Sequence, residues 1–83
     1  MTATVVPFPL ARRTAMIQRQ ADYALCLKPV KAEQHIQRQL QTQADLLRRR
    51  GIADDTIARE LASMESAIRT AMWHLMFDTS GEA

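Results

Sequence analysis

Residues 48–60 read RRRGIADDTIARE, and this stretch sets the way the chain folds. Three arginines at the end of a helix complement the negative end of its dipole, and Gly51 supplies the left-handed conformation on which helices commonly stop. Asp54 or Asp55 can then cap a new helix, with Ile52 packing back on Ile57 or Ala58 as a hydrophobic staple. A helix that stops and restarts within about four residues must double back, so the stretch predicts an antiparallel αα-hairpin.

Beyond it, Ile57, Leu61, Met64, Ile68, Ala71 and Leu75 recur at alternating spacings of four and three, the seam of a helix packed along its length. A helix over about 55–77 follows. Upstream, neither proline nor glycine interrupts the chain between Pro29 and Gly51. Pro29 suits a first helical position, and the residue before a proline is held extended, so Lys28 belongs to the turn and a helix covers about 29–50. Its stripe is Ile36, Leu40 and Leu47, with Gln43 between the leucines, where a buried or interfacial amide would fix register.

The segment from Pro9 to Pro29 is uninterrupted too and predicts a helix over about 10–26. Ile17, Ala21 and Ala24 form one narrow stripe of it, and Met16, Tyr23 and Leu27 a second. One stripe is expected to cover the hairpin and the other to meet a second subunit. The expected architecture is therefore all-α: an extended N-terminal arm (1–9), one domain of three helices (10–77) and a flexible C-terminal tail (78–83).

At 83 residues, the chain buries only roughly 60% of the surface its unfolded state exposes, so self-association would help it. The net charge of +2 conceals an asymmetry: residues 1–50 hold nine Lys/Arg against three acids, and residues 51–83 two against six. Such polarity can steer an acidic partner to one end or pair two copies head to tail. The single Cys26 cannot form an internal disulfide, which fits a reducing, cytoplasmic location. No apolar run reaches the roughly 18 residues a membrane span needs. At the N-terminus the apolar part precedes the arginines, the reverse of a secretory signal.

Three features are candidates for function. The arm TVVPFPLARR holds Val6 to Pro9 extended between prolines, so Phe8 projects from a stiff segment. Its expected seat is an apolar groove beside Trp73, Met76 and Phe77, on its own chain or a dimer mate, with Arg12 and Arg13 left outside. AMWHLMF gathers Met72, Trp73, Leu75, Met76 and Phe77 around nearly the whole helix circumference, more than one neighbouring helix covers, so either the first helix and the arm pack there, the favoured expectation, or the exposed remainder is a protein-binding surface. Phe8, Met16, Tyr23, Trp73, Met76 and Phe77 are the expected partner contacts.

Phosphate contacts are the third candidate, from Arg12, Arg13 and Arg19 in the arm and first helix and Arg48, Arg49 and Arg50 at the turn. No aromatic lies near the RRRG run to stack a base, and the acids Asp54, Asp55, Glu60 and Glu65 disqualify the third helix as a groove reader. The glutamines of EQHIQRQLQTQ read as a solvated face. His35 and His74 have no second ligand at helical spacing, and no nucleophile–base pairing, glycine-rich phosphate loop or cofactor motif is present. No metal, cofactor or small-molecule substrate is expected, and no enzymatic activity.

The segments VVPFPLARR, QADLLRRRGI and IARELASMESAIRTAMW together resemble a family of small bacterial proteins of unknown function, about as long as this chain, that begin V-[IV]-P-F-P-x-x-R-R. The resemblance covers roughly residues 5–75. Members of that family tend to carry Ser before the proline that opens the second helix and an acid soon after it, whereas this chain has KPVK. The resemblance implies no activity.

From the residues, the leading expectation is an interaction module, a homodimer built around the hairpin that acts as adaptor or modulator of a larger bacterial assembly. The alternatives are a nucleic-acid-associated accessory protein using the arginine clusters and an inhibitor, carried by a mobile element, of a nucleic-acid enzyme.

Overall fold

In the computed structural model, which describes the backbone of residues 9–81 and the side chains of residues 9–77, the turn at Gly51 is built as its sequence requires. Gly51 adopts φ +82°. The Gly51 N–H donates to Arg48 O at 3.0 Å and the Ile52 N–H to Leu47 O at 3.1 Å, the pair of bonds that closes a Schellman motif. Ile52 packs against the core beside it.

Three helices follow from this and the two prolines: α1 (Thr14–Leu25), α2 (Pro29–Arg49) and α3 (Asp54–Gly81), preceded by a short 3-10 turn, Leu10–Arg12. No strand occurs among the described residues. Lys28 is extended (φ −66°, ψ 152°) ahead of Pro29, which sits in the first turn of α2. Both aspartates lie inside the first turn of α3. Ala53 O receives the first helical bond, from Ile57 N–H at 3.0 Å. Asp55 Oδ1 accepts the Thr56 N–H at 2.8 Å.

The hairpin register mirrors about Gly51. Arg48 and Asp54, three residues to either side, approach at 3.7 Å; Glu33 and Arg69, eighteen to either side, form a two-pronged pair at 2.6 and 2.8 Å. Those contacts at both ends make α2 and α3 antiparallel. The connection Cys26–Lys28 also turns α2 back on α1, so that Gln20 meets His35. α3 is the central element, touching α1, α2 and the 3-10 turn.

The core is wholly apolar among the described residues and rich in alanine: Ala21, Ala24, Ala32, Ala44 and Ala71 are buried with Ile17, Ile36, Leu40, Leu47, Ile57, Met64 and Ile68. Small side chains at the crossings let the helix axes approach, and the large ones between them fill the remaining space. Leu61 and Leu75 are half-buried at the edges of the expected seam.

Four expectations change. The first helix does not start at residue 10: Leu10 makes a 3-10 turn, Arg13 breaks it (φ −82°, ψ 74°), and α1 begins at Thr14. The cause is tertiary, because Leu10 is buried and its N–H donates to Glu60 Oε1 of α3 at 2.9 Å. Ala44, not Gln43, fills the stripe between Leu40 and Leu47; the turns of α2 bring i+4 to the core there, leaving Gln43 half-buried at the margin. Of the second stripe expected on the first helix, Met16 of α1 and Leu27 of the connection after it pack against the core and only Tyr23 stays exposed. Finally, α3 continues to Gly81, past the expected end at 77, so residues 78–81 are helical rather than a tail. The arm's residues 1–8, Phe8 included, and the last two residues lie outside the described residues.

Candidate functional site

The two ends of the bundle differ in chemistry. At the Gly51 end, Arg48 lies 3.7 Å from Asp45 and 3.7 Å from Asp54, and Arg59 3.8 Å from Asp55. These pairs are exposed and contribute little each, but they neutralise part of the positive charge that the RRR run carries. Arg49 and Arg50 are exposed, with no ion pair among the described residues. Arg12 and Arg13 adjoin Leu10, which is held at Glu60, toward the same end, while Arg19 stands farther along α1. The six arginines therefore do not form one continuous patch.

The opposite end gathers apolar side chains. On α3, Trp73, Met76 and Phe77 follow Arg69 at helical spacing and are 55%, 53% and 52% exposed. The Trp73 and Phe77 rings stack obliquely, with centroids 4.8 Å apart, and the His74 ring stands edge-on to Trp73 at 5.5 Å. The Glu33–Arg69 pair fixes the level at which α2 begins. Stepping back from Glu33 to Pro29 and forward from Arg69 to Trp73 is the same rise, about 6 Å, so Val30, 69% exposed, stands near the level of Trp73.

From Trp73 to Gly81, α3 runs on for about 12 Å beyond the start of α2. This overhang explains the elongated shape, 53 × 26 × 16 Å. The radius of gyration, 14.6 Å, exceeds the roughly 12 Å of a compact chain this long.

Arg69 ties this end together. Its guanidinium holds Glu33 and also Glu65, at 2.8 Å. Glu33 is correspondingly kept below its ordinary carboxylate pKa, chiefly by the hydrogen bonds from Arg69, and Arg69 is pushed further up by both carboxylates.

A second, shallow cleft of about 640 Å³ lies between α1 and α2, lined by Arg19, Gln20, Asp22, Tyr23, Cys26 and His35. Within it the His35 Nε2–H donates to Gln20 Oε1 at 2.6 Å, and Tyr23 meets the imidazole edge-on at 4.6 Å. Partial burial, then the Arg38 charge, lowers the pKa of His35. The imidazole is thus engaged as a helix-to-helix tie. Cys26 is an exposed thiol. No group of three or more His, Cys, Asp or Glu is placed to hold a metal among the described residues, and no described helix is long and apolar enough to cross a membrane.

Of the expected partner contacts, Trp73, Met76 and Phe77 come together on one exposed stripe, Tyr23 stands apart in the α1–α2 cleft, and Met16 is half-buried. Val30 was missed, as was the Glu33–Arg69 tie. Reflecting the sequence about Gly51 finds both, since it sets residue 33 on 69 and residue 30 on 72. Phe8 itself lies outside the described residues.

Fold and surface define a small three-helix bundle with one charged and one aromatic end. The chain belongs to DUF6074, a family of unknown function, whose model matches residues 1–83. Neither the curated proteins nor the solved structures contain a match to it.

Proposed function

We propose that this protein is a non-enzymatic interaction module that works by presenting the aromatic end of its bundle to another protein, as an adaptor or modulator in a bacterial assembly. The observation that carries the reading is the stripe Trp73, Met76 and Phe77 on an overhanging helix, each about half exposed where most other large apolar side chains among the described residues are buried or half-buried. Aromatic and methionine side chains concentrate binding energy where they become fully desolvated. A small protein does not ordinarily leave them in water together.

The test is tagged capture from the host with wild type and Trp73→Glu, each with and without nuclease. The expected result is a captured protein that survives nuclease and is lost with Trp73→Glu, while circular dichroism of the variant is unchanged. Capture indifferent to Trp73 would overturn the reading.

A second reading, a nucleic-acid accessory role, is supported by Arg49 and Arg50, which are exposed without acidic partners among the described residues. It predicts capture that nuclease abolishes, and DNA or RNA binding that weakens steeply with salt.

A further inference from the structure

We infer that the aromatic end is occupied by a second copy of this chain, the two α3 overhangs passing antiparallel about a two-fold axis so that each reaches the start of its mate's α2. This rests on the proposed use of that end for protein binding and names the occupant.

The first support is the state of the two helix ends. The N-terminus of α2 has no side-chain cap and no acid in its first turn. Instead it carries Lys28 before the helix and Lys31 within that turn, both exposed. Cations at the positive end of a helix dipole are unfavourable. At the far end of α3 the mismatch is the opposite, since its last turn holds no basic residue to meet the free carbonyls.

Within one chain the two mismatches do not cancel, because α3 ends about 12 Å past the start of α2. Two overhangs crossed antiparallel bring the negative end of each α3 toward the lysines and the positive end of the mate's α2. Both mismatches are relieved twice by one symmetric contact. An isologous interface of this kind needs only that one patch complement itself.

Area is the second support. A fully buried aromatic covers roughly 150–250 Å². The exposed halves of Trp73 and Phe77, with Met76 and Val30, therefore offer on the order of 400–500 Å² per copy. Two such patches together approach the 1,000 Å² that distinguishes a specific interface, at the small end of its range. The contact is thus a reversible dimer. Glu33 on α2 and Arg69 on α3, at the inner margin of the patch, already neutralise each other, while Lys31 and Asp78 follow Val30 and Phe77 in the chain with opposite charge.

Light scattering coupled to size exclusion, and sedimentation across a dilution series, test this. The expected mass is twice 9.4 kDa, falling to one copy for Trp73→Glu with helix content kept. Lys31→Glu should raise the dissociation constant roughly three- to thirty-fold, from two helix-end charges reversed, whereas Arg49→Glu should not change it. With Cys26→Ser in place, Met76→Cys should give a disulfide-linked pair on oxidation and Leu46→Cys should not.

A wild type that stays monomeric at the highest concentration reached overturns the second copy as occupant. The broader reading then still stands or falls on whether capture depends on Trp73. A dimer indifferent to Trp73→Glu, or one that Lys31→Glu leaves as tight as before, overturns the crossed arrangement.

Discussion

Replacing Leu10 with alanine asks whether the residues just after the arm are part of the fold or a leader laid on it. Leu10 is 1% exposed and among the largest fully buried side chains. Truncating a buried leucine costs about 2–5 kcal/mol, the transfer of the lost methyls plus the cavity left behind. The site cannot easily close over that cavity, because the Glu60 carboxylate holds the Leu10 N–H at 2.9 Å and the break at Arg13 ties the turn to α1. A cost near 3 kcal/mol is therefore expected. Against a total of about 4–12 kcal/mol for a chain of this length, that is a large fraction. At about 4–8 °C per kcal/mol the melting midpoint falls by roughly 12–24 °C.

Urea and thermal unfolding followed by far-UV circular dichroism measure it, at matched protein concentration because association adds to apparent stability. Leu46→Ala, on the exposed side of α2, is the control and should cost under about 1 kcal/mol. A Leu10→Ala variant no less stable than the Leu46 control would refute the reasoning and detach the 3-10 turn from the core. Glu60→Ala should lower stability as well, by about 1–3 kcal/mol, through the stranded Leu10 N–H, and Glu60→Gln by less because an amide oxygen can still accept.

Gly51→Ala meets no atom within 4 Å, so its cost is that of the positive φ alone: about 1–2 kcal/mol in chemical unfolding, with Gly51→Asn less harmful. His35 is neutral-favouring in the fold, its pKa lowered by burial and Arg38. Between its folded pKa and its unfolded value near 6.5 the unfolded chain binds more protons. Stability should therefore be full above that unfolded value and decline as pH falls through the folded pKa. Histidine NMR titration with pH-dependent melts reads this, and His35→Gln should flatten the slope over that window.

The hairpin was legible because its signals are covalent and local. Gly51 accepts a left-handed backbone that other residues resist, Pro29 cannot continue a helix from before it, and the seam from Ile57 to Ala71 repeats with the pitch of the helix. The candidate site was half legible. AMWHLMF announced more apolar surface than one helix contact covers, but not which part of it stays in water. Met72 and Leu75 turned toward the core, and Trp73, Met76 and Phe77 did not. That choice depends on where α1 and α2 lie.

By itself, then, the sequence determined three helices, their order and the antiparallel return at Gly51, since breakers, caps and periodicity act over a few residues of backbone. Tertiary structure alone decided the break at Arg13, where no proline or glycine stands and a bond between residues fifty positions apart pins Leu10. It also put Ala44 in the place expected for Gln43, and left α3 standing past the start of α2 with its aromatic stripe in solvent. Burial and register are relations between segments, and they exist only once the helices have packed.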